Sequence, residues 1–164
     1  MNKSYFPITD ETVNPLRHTV SRRVRFEEVD ALGIVWHGRY PSYFEDARAA
    51  LGERFGIGYK VFHSRGIFAP IKIIHIDYHL PLTFDEPFTI EAVLHWTEAA
   101  RLNCEYFLYN QEGKITTTGY TVQLMLDSSG EVLIIPPPFY REFTEQWKGQ
   151  TLQCRESGSP TRPQ

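Results

Sequence analysis

The stretch PSYFEDARAALGERFG, at positions 41–56, constrains the fold more than any other part of the chain. With Tyr40 just before it, Tyr43, Phe44, Ala47, Leu51 and Phe55 recur at spacings near 3.6 and share one helical stripe. Pro41 suits a helix entrance, Ser42 and Glu45 have capping-box spacing, and Gly56 is a natural stop. The second half of the chain reads mostly as strand. One long amphipathic helix beside several strands has to lie on a sheet, so an α+β fold is expected.

The strands can be read in turn. From His18, Val20, Val24 and Phe26 point one way, and Ser21, Arg23, Arg25 and Glu27 the other. After the helix, IGYKVFHSRG suggests a loop or a short extra turn. FAPIKIIHIDYHL is apolar on both faces, as a central strand would be. FTIEAVLHWTEAA, RLNCEYFLYN and ITTTGYTVQLMLD come next as a meander, with turns at NQEGK and DSSG. FYREFTEQWKGQ is a candidate terminal helix.

The 164 residues suit a single domain, expected over 18–148, with an irregular arm at 1–17 and a flexible tail at 149–164. One helix covers one sheet face. The other face and the edges then need cover, which pairing of subunits supplies.

Composition excludes several classes. Apolar residues at 41% and charged residues at 23% indicate a folded globular chain. A net charge of -3 argues against nucleic acid. No apolar run approaches the roughly 18 residues of a membrane span. The N-terminus lacks a signal-peptide core. Two cysteines, Cys104 and Cys154, suggest neither a disulfide framework nor a metal cluster, so the cytoplasm is the expected location. His75, His79 and His95 lack metal-ligand spacing, and there is no Gly-rich nucleotide loop or Gly-x-Ser-x-Gly elbow. No cofactor is expected.

The bend before the helix, VDALGIVWHGRY, carries ionisable groups in an otherwise apolar turn. Asp30 comes after a strand and before a Gly bend, so its carboxylate can either project into a pocket or close an Asx-turn. His37 and Gly38 stand where the chain enters the helix. Free N–H groups and the positive end of the helix dipole suit an anion there. The His37 imidazole is free to act in chemistry or simply to tie the loop. Trp36, Tyr40, Tyr43 and Phe44 are candidates for a substrate pocket or for helix–sheet core.

The order of elements resembles the hotdog fold, a curved antiparallel sheet wrapped around a central helix. VDALGIVWHGRYPSYFEDAR is similar to the signature of the 4-hydroxybenzoyl-CoA thioesterase-like family. That pattern has an Asp (Asp30), a Gly three residues on (Gly33), an apolar pair (Ile34, Val35), and a His or aromatic seven residues after the Asp (His37). An aromatic helix start (Tyr40, Tyr43, Phe44) completes it. IDYHLPLTFDEPFTIEA and NQEGKITTTGYTVQLMLDSSGE resemble the family's later strands, so the likeness spans roughly residues 18–135.

The resemblance implies hydrolysis of an acyl- or aryl-CoA thioester without metal or cofactor. Asp30 would be nucleophile or general base, and N–H groups of His37 and Gly38 would serve as oxyanion donors. It also implies a homotetramer, a dimer of dimers, with sites at subunit boundaries. Glu45 is a rival carboxylate because some hotdog enzymes carry theirs on the helix. Lys72, Arg101 and Lys114 are candidate CoA phosphate partners. A thioesterase acting on acyl carrier protein, a hydroxyacyl dehydratase and a non-catalytic acyl-binding protein remain as alternatives. His37 lacks the His-Phe-Pro-like context of the dehydratase.

Overall fold

The computed structural model describes residues 4–155. Strand β1 (Leu16–Arg23) leads through a 3-10 turn (Phe26–Glu28) and a second one (His37–Arg39) into the long helix α1 (Tyr40–Phe55). A short helix α2 (Tyr59–Ser64) comes next, then β2 (Ile71–Tyr78), β3 (Pro87–His95), β4 (Arg101–Asn110), β5 (Ile115–Leu124) and helix α3 (Pro138–Lys148). The five strands form one antiparallel sheet in the order β1-β3-β4-β5-β2.

Helix α1 crosses one face of this sheet. The expected stripe is the buried one: Tyr40, Tyr43, Phe44, Ala47 and Leu51 face inward. Phe44 stacks flat on Tyr106 of β4, with ring centroids 4.2 Å apart and planes 5° apart. The Tyr106 hydroxyl stays satisfied within the core, 2.9 Å from Thr121 Oγ1. Gly119 of β5 lies beneath Phe44. A Cβ there would meet the Phe44 ring at 2.7 Å and the His75 carbonyl oxygen closer still. The missing side chain is what lets the helix approach the sheet.

The helix ends as the sequence suggests, with Gly56 at φ 75° and its N–H on the Glu53 carbonyl at 3.3 Å. Its start differs. The 3-10 turn runs straight into α1, so the helix already begins at Tyr40 and Ser42 sits inside the first turn. The Ser42 hydroxyl donates to the Arg39 carbonyl at 2.6 Å, and Glu45 pairs with Arg48 at 2.5 Å. No capping box forms. The segment after Gly56 folds into α2, which turns Phe62 into the core.

Two further expectations are corrected. Phe26 is not on the inner face of β1, because β1 ends at Arg23; in the 3-10 turn the ring is 78% exposed and meets Phe84 edge-on at 5.9 Å. Strand β2 is not central. Among the described residues it pairs only with β5 and forms the sheet edge, leaving Ile71, Ile73 and Ile74 exposed. Apolar residues on both faces reflected a strand that lacks a neighbour within this chain.

The arm before β1 has no regular structure from Ser4 to Pro15, yet it is tied down across the outer sheet face. The Ser4 hydroxyl and the Tyr5 N–H both donate to the Glu105 carboxylate, at 3.0 and 3.3 Å, and His95 lies 2.7 Å from it. Burial works to raise the Glu105 pKa, but these hydrogen bonds outweigh it and hold the carboxyl below its ordinary range. At the other end, α3 turns Tyr140, Phe143 and Trp147 inward, and the Trp147 indole donates to the Asn14 carbonyl at 2.8 Å. Of the tail expected at 149–164, the part from 156 on lies outside the described residues. Just before it, the Arg155 N–H donates to the Arg54 carbonyl at 2.8 Å.

Gly119→Ala tests the seat of α1. The added methyl meets backbone as well as a stacked ring, so we expect a loss of about 2–3 kcal/mol. In a thermal melt this would read as a fall of roughly 5–10 °C; an unchanged melting temperature would show that helix and sheet are not in this close contact.

Candidate active site

The bend before α1 is a small hairpin. Val29 bridges Val35, the Asp30 N–H donates to the Ile34 carbonyl at 2.9 Å, and the Gly33 N–H returns to the Asp30 carbonyl at 3.0 Å. Gly33 has φ 74°, the left-handed conformation that makes this turn the place for a glycine. The hairpin is docked onto the chain leading to β3: Ile34 bridges Thr83, and the Val35 N–H donates to the Leu82 carbonyl at 2.9 Å.

Asp30 caps this turn. The Leu32 N–H donates to its Oδ1 at 2.8 Å, an Asx-turn, which is one of the two readings the sequence left open. The second oxygen, Oδ2, has no donor among the described residues. The carboxylate is thus anchored by one oxygen and offers the other. The structural and chemical readings of Asp30 are compatible, because the turn uses only half of the group.

His37 and Gly38 begin the 3-10 turn that runs into α1, where helix geometry leaves the first N–H groups without intrahelical partners. The turn is pinned from the sheet: the Tyr78 phenol at the end of β2 donates to the His37 carbonyl at 2.8 Å, and Tyr78 meets Tyr40 edge-on at 5.0 Å. Asp30 and His37 are not hydrogen-bonded to each other. The Trp36 N–H donates to the Glu28 carbonyl, so the ladder carries His37 away from the hairpin tip while Asp30 sits toward it. No bond from the His37 imidazole to the Asp30 carboxylate is present among the described residues. The Trp36 indole is half-exposed and folds over Gly38, so closely that a Cβ there would run into it.

The other candidates separate. Tyr40, Tyr43 and Phe44 belong to the core. Burial first, and the nearby Glu28 carboxylate second, hold the Tyr43 phenol far above its ordinary range, so it stays neutral. Lys72 at the start of β2 and Arg101 at the start of β4 lie at one end of the sheet, since Ile71 and Leu102 both register with Gln123. His37 is held at the opposite end by Tyr78. Lys114, in the β4–β5 turn, pairs with Glu112 at 2.7 Å. Burial pushes the Cys104 thiol up to about 11, so it is no nucleophile. Among the described residues no group of three or more His, Cys, Asp or Glu is placed to hold a metal, and no helix is long and apolar enough to cross a membrane.

Two ties escaped the sequence reading. One is Tyr78 on His37; the other joins Arg48 of α1 to Gln123 of β5, with Arg48 donating to Gln123 Oε1 at 3.0 Å. Both link residues far apart in the chain, and no local pattern encodes them.

A model of the thioesterase-like superfamily matches residues 24–145. A Bacillus subtilis protein whose name proposes acyl-CoA thioesterase activity is 27% identical over 104 residues, which is 63% of this chain and 75% of that protein. An Arabidopsis thaliana acyl-acyl carrier protein thioesterase is 27% identical over 129 residues, covering 77% of this chain and 67% of its own. Among solved structures, a DHNA-CoA thioesterase from Staphylococcus aureus superposes with a TM-score of 0.73 at 20% identity, over 81% of this chain and 91% of its own. That last likeness is one of fold, and it is the hotdog architecture.

Gly33→Ala tests the Asp30 turn. Nothing lies within 4 Å of the added Cβ, so its cost is backbone strain alone, about 1 kcal/mol. We expect a small fall in melting temperature with faster amide exchange at Leu32 and Ile34; exchange unchanged from wild type would count against a hairpin held by this glycine.

Proposed function

The chain belongs to the thioesterase-like superfamily, and on that premise we propose that it hydrolyses an acyl- or aryl-CoA thioester to the free acid and CoA. Asp30 either attacks the carbonyl carbon or takes a proton from the attacking water. The N–H groups of His37 and Gly38, at the positive end of α1, receive the developing oxyanion. CoA leaves as thiolate, already a fair leaving group, so one carboxylate and a pair of backbone donors suffice. The observation that carries this reading is the Asp30 carboxylate, held by one oxygen and open at the other, in the bend that leads into α1.

The unpaired edge supports a symmetric assembly. The two edges of the sheet are unlike. Strand β1 turns Arg17, Thr19, Ser21 and Arg23 outward, which discourages pairing, whereas β2 exposes isoleucines beside unpaired backbone groups. Antiparallel pairing of β2 with a second copy would continue the sheet and make the dimer from which the expected homotetramer is built. Two free cysteines suit a reducing cytoplasm. Acyl carrier protein presents the same pantetheine arm as CoA, so both carriers belong in the test.

Asp30→Asn is nearly isosteric but neither basic nor nucleophilic. We expect kcat on the best thioester of a broad panel to fall by about two to four orders of magnitude, with the melting curve unchanged. His37→Ala keeps the backbone donor and should give a smaller loss. Glu45→Gln should stay within a few-fold of wild type. A folded Glu45→Gln without activity beside an active Asp30→Asn would move the catalytic carboxylate to the helix.

Ile73→Lys places a charge on the β2 edge. Light scattering should report a dimer or tetramer for wild type and a shift toward monomer for the variant, with activity lost in parallel. A wild-type monomer at micromolar concentration would sink the shared-edge arrangement.

A further inference from the structure

A cavity of about 430 Å³ opens between α1, α2 and the start of β2. Phe62, Ile67, Phe68, Leu102 and Leu126 form its apolar side. Its other side is a polar chain from Glu45 through Arg48 to Gln123. Arg48 Nη2 donates to Glu45 at 2.5 Å, Nη1 donates to Gln123 Oε1 at 3.0 Å, and Gln123 Nε2 donates to the Ala69 carbonyl.

The donor count on this side does not close. A guanidinium has five N–H groups and a glutamine amide two. Two of the Arg48 donors and one of the Gln123 donors are used in these bonds. Arg48 Nε is buried without a partner, and one N–H remains on each terminal nitrogen and on the Gln123 amide. As a tie between α1 and β5, Arg48 needs only the bonds it already makes. Nε is closed off, but Arg48 and Gln123 both line the cavity, and their spare terminal N–H groups make that side donor-rich opposite the apolar one.

The position of the cavity matters as much as its lining. It sits at the Ile71 end of β2, whereas His37 is held at the Tyr78 end. Eight strand residues separate these ends by about 23 Å. If two copies pair antiparallel along β2, the twofold axis brings the cavity of one copy beside the His37 end of the other.

We infer that this cavity receives the acyl group of a thioester attacked at the partner copy, and that Arg48 selects acyl groups whose apolar body carries an acceptor oxygen. The inference rests on the thioesterase reading and names the substrate class of that site. A plain alkyl chain would fill the apolar side but cover the free N–H groups without pairing them, which is costly. A hydroxyl or carbonyl oxygen on the chain would accept from them. Arg48 is thus a specificity-determining residue, and Ala69 marks the wall beside it.

Binding of non-hydrolysable ligands separates this inference from the catalytic one. S-hexyl-CoA and S-(6-hydroxyhexyl)-CoA differ by one oxygen, and calorimetry gives a dissociation constant for each. Wild type should bind the hydroxylated ligand more tightly by about five- to tenfold. Arg48→Met should bring the ratio near one, Arg48→Lys should retain part of the preference, and Ala69→Trp should weaken both ligands. Should Arg48→Met fail to fold, Arg48→Gln keeps a polar side chain at this position with only two N–H groups and should lower the ratio. Equal binding of the two ligands by wild type, or a ratio unchanged in a folded Arg48→Met, would overturn the inference, as would wild-type affinity in Ala69→Trp. Turnover of the broad thioester panel, with hexanoyl-CoA and 6-hydroxyhexanoyl-CoA included, is measured on the same samples: no hydrolysis of any member alongside an intact binding ratio would overturn the enzymatic reading and leave the cavity assignment standing.

Discussion

Everything in this molecule is referred to the contact of α1 with the sheet, where Phe44 lies flat on Tyr106 over the bare backbone of Gly119. Two aromatic rings of this size bury roughly 150–250 Å² each, which makes the stack one of the larger apolar terms available. It also sets a height. With no Cβ at Gly119 the helix settles close to β5, and that closeness fixes where its first turn stands. Tyr78 can then reach the His37 carbonyl, and the hairpin carrying Asp30 can dock on Leu82 and Thr83. The position of the candidate chemistry is thus a consequence of packing at the centre of the helix.

Seating α1 on one face of the sheet leaves the other face to be covered. The face of the sheet away from α1 is covered by the chain's own N-terminal arm, through hydrogen bonds to the buried Glu105 and aromatic contacts of Phe6 with His95 and Tyr120. The edge at β2 has no such cover. Its isoleucines are spread along a strand paired on one side only, with a half-apolar cavity at one end and the α1 entrance at the other. On the assembly proposed above, a second copy pairs along this edge, and the two halves of the proposed site then come from different protomers.

What was legible beforehand was local. The 3.6-residue stripe from Tyr40 to Leu51, the stop at Gly56 and the turns at Gly113 and Gly130 all appear as read, because each is decided within a few residues. The Asp30 bend was legible too, and the Asx-turn is one of the two readings the sequence left open for it. Ser42 and Glu45 misled for a local reason as well. Their spacing is that of a capping box, but the preceding 3-10 turn continues into the helix and moves its start upstream of both. Strand β2 misled for a non-local reason. Apolar residues on both faces read as a strand flanked by two neighbours, whereas β2 has a neighbour on one side only among the described residues.

By itself, the sequence determined that one amphipathic helix lies on an antiparallel sheet, that a carboxylate occupies the glycine bend before that helix, and that the chain carries the pattern of its family. These come from periodicity, turn chemistry and motif spacing, all short-range properties. Only the tertiary structure decided which strand is the edge, that Tyr40, Tyr43 and Phe44 are core, that Asp30 and His37 are not bonded to each other, and that Arg48 meets Gln123 beside an apolar cavity. The physical reason is common to all four. Each depends on which distant segment arrives next to a residue, and that is set by the packing of the whole helix against the whole sheet.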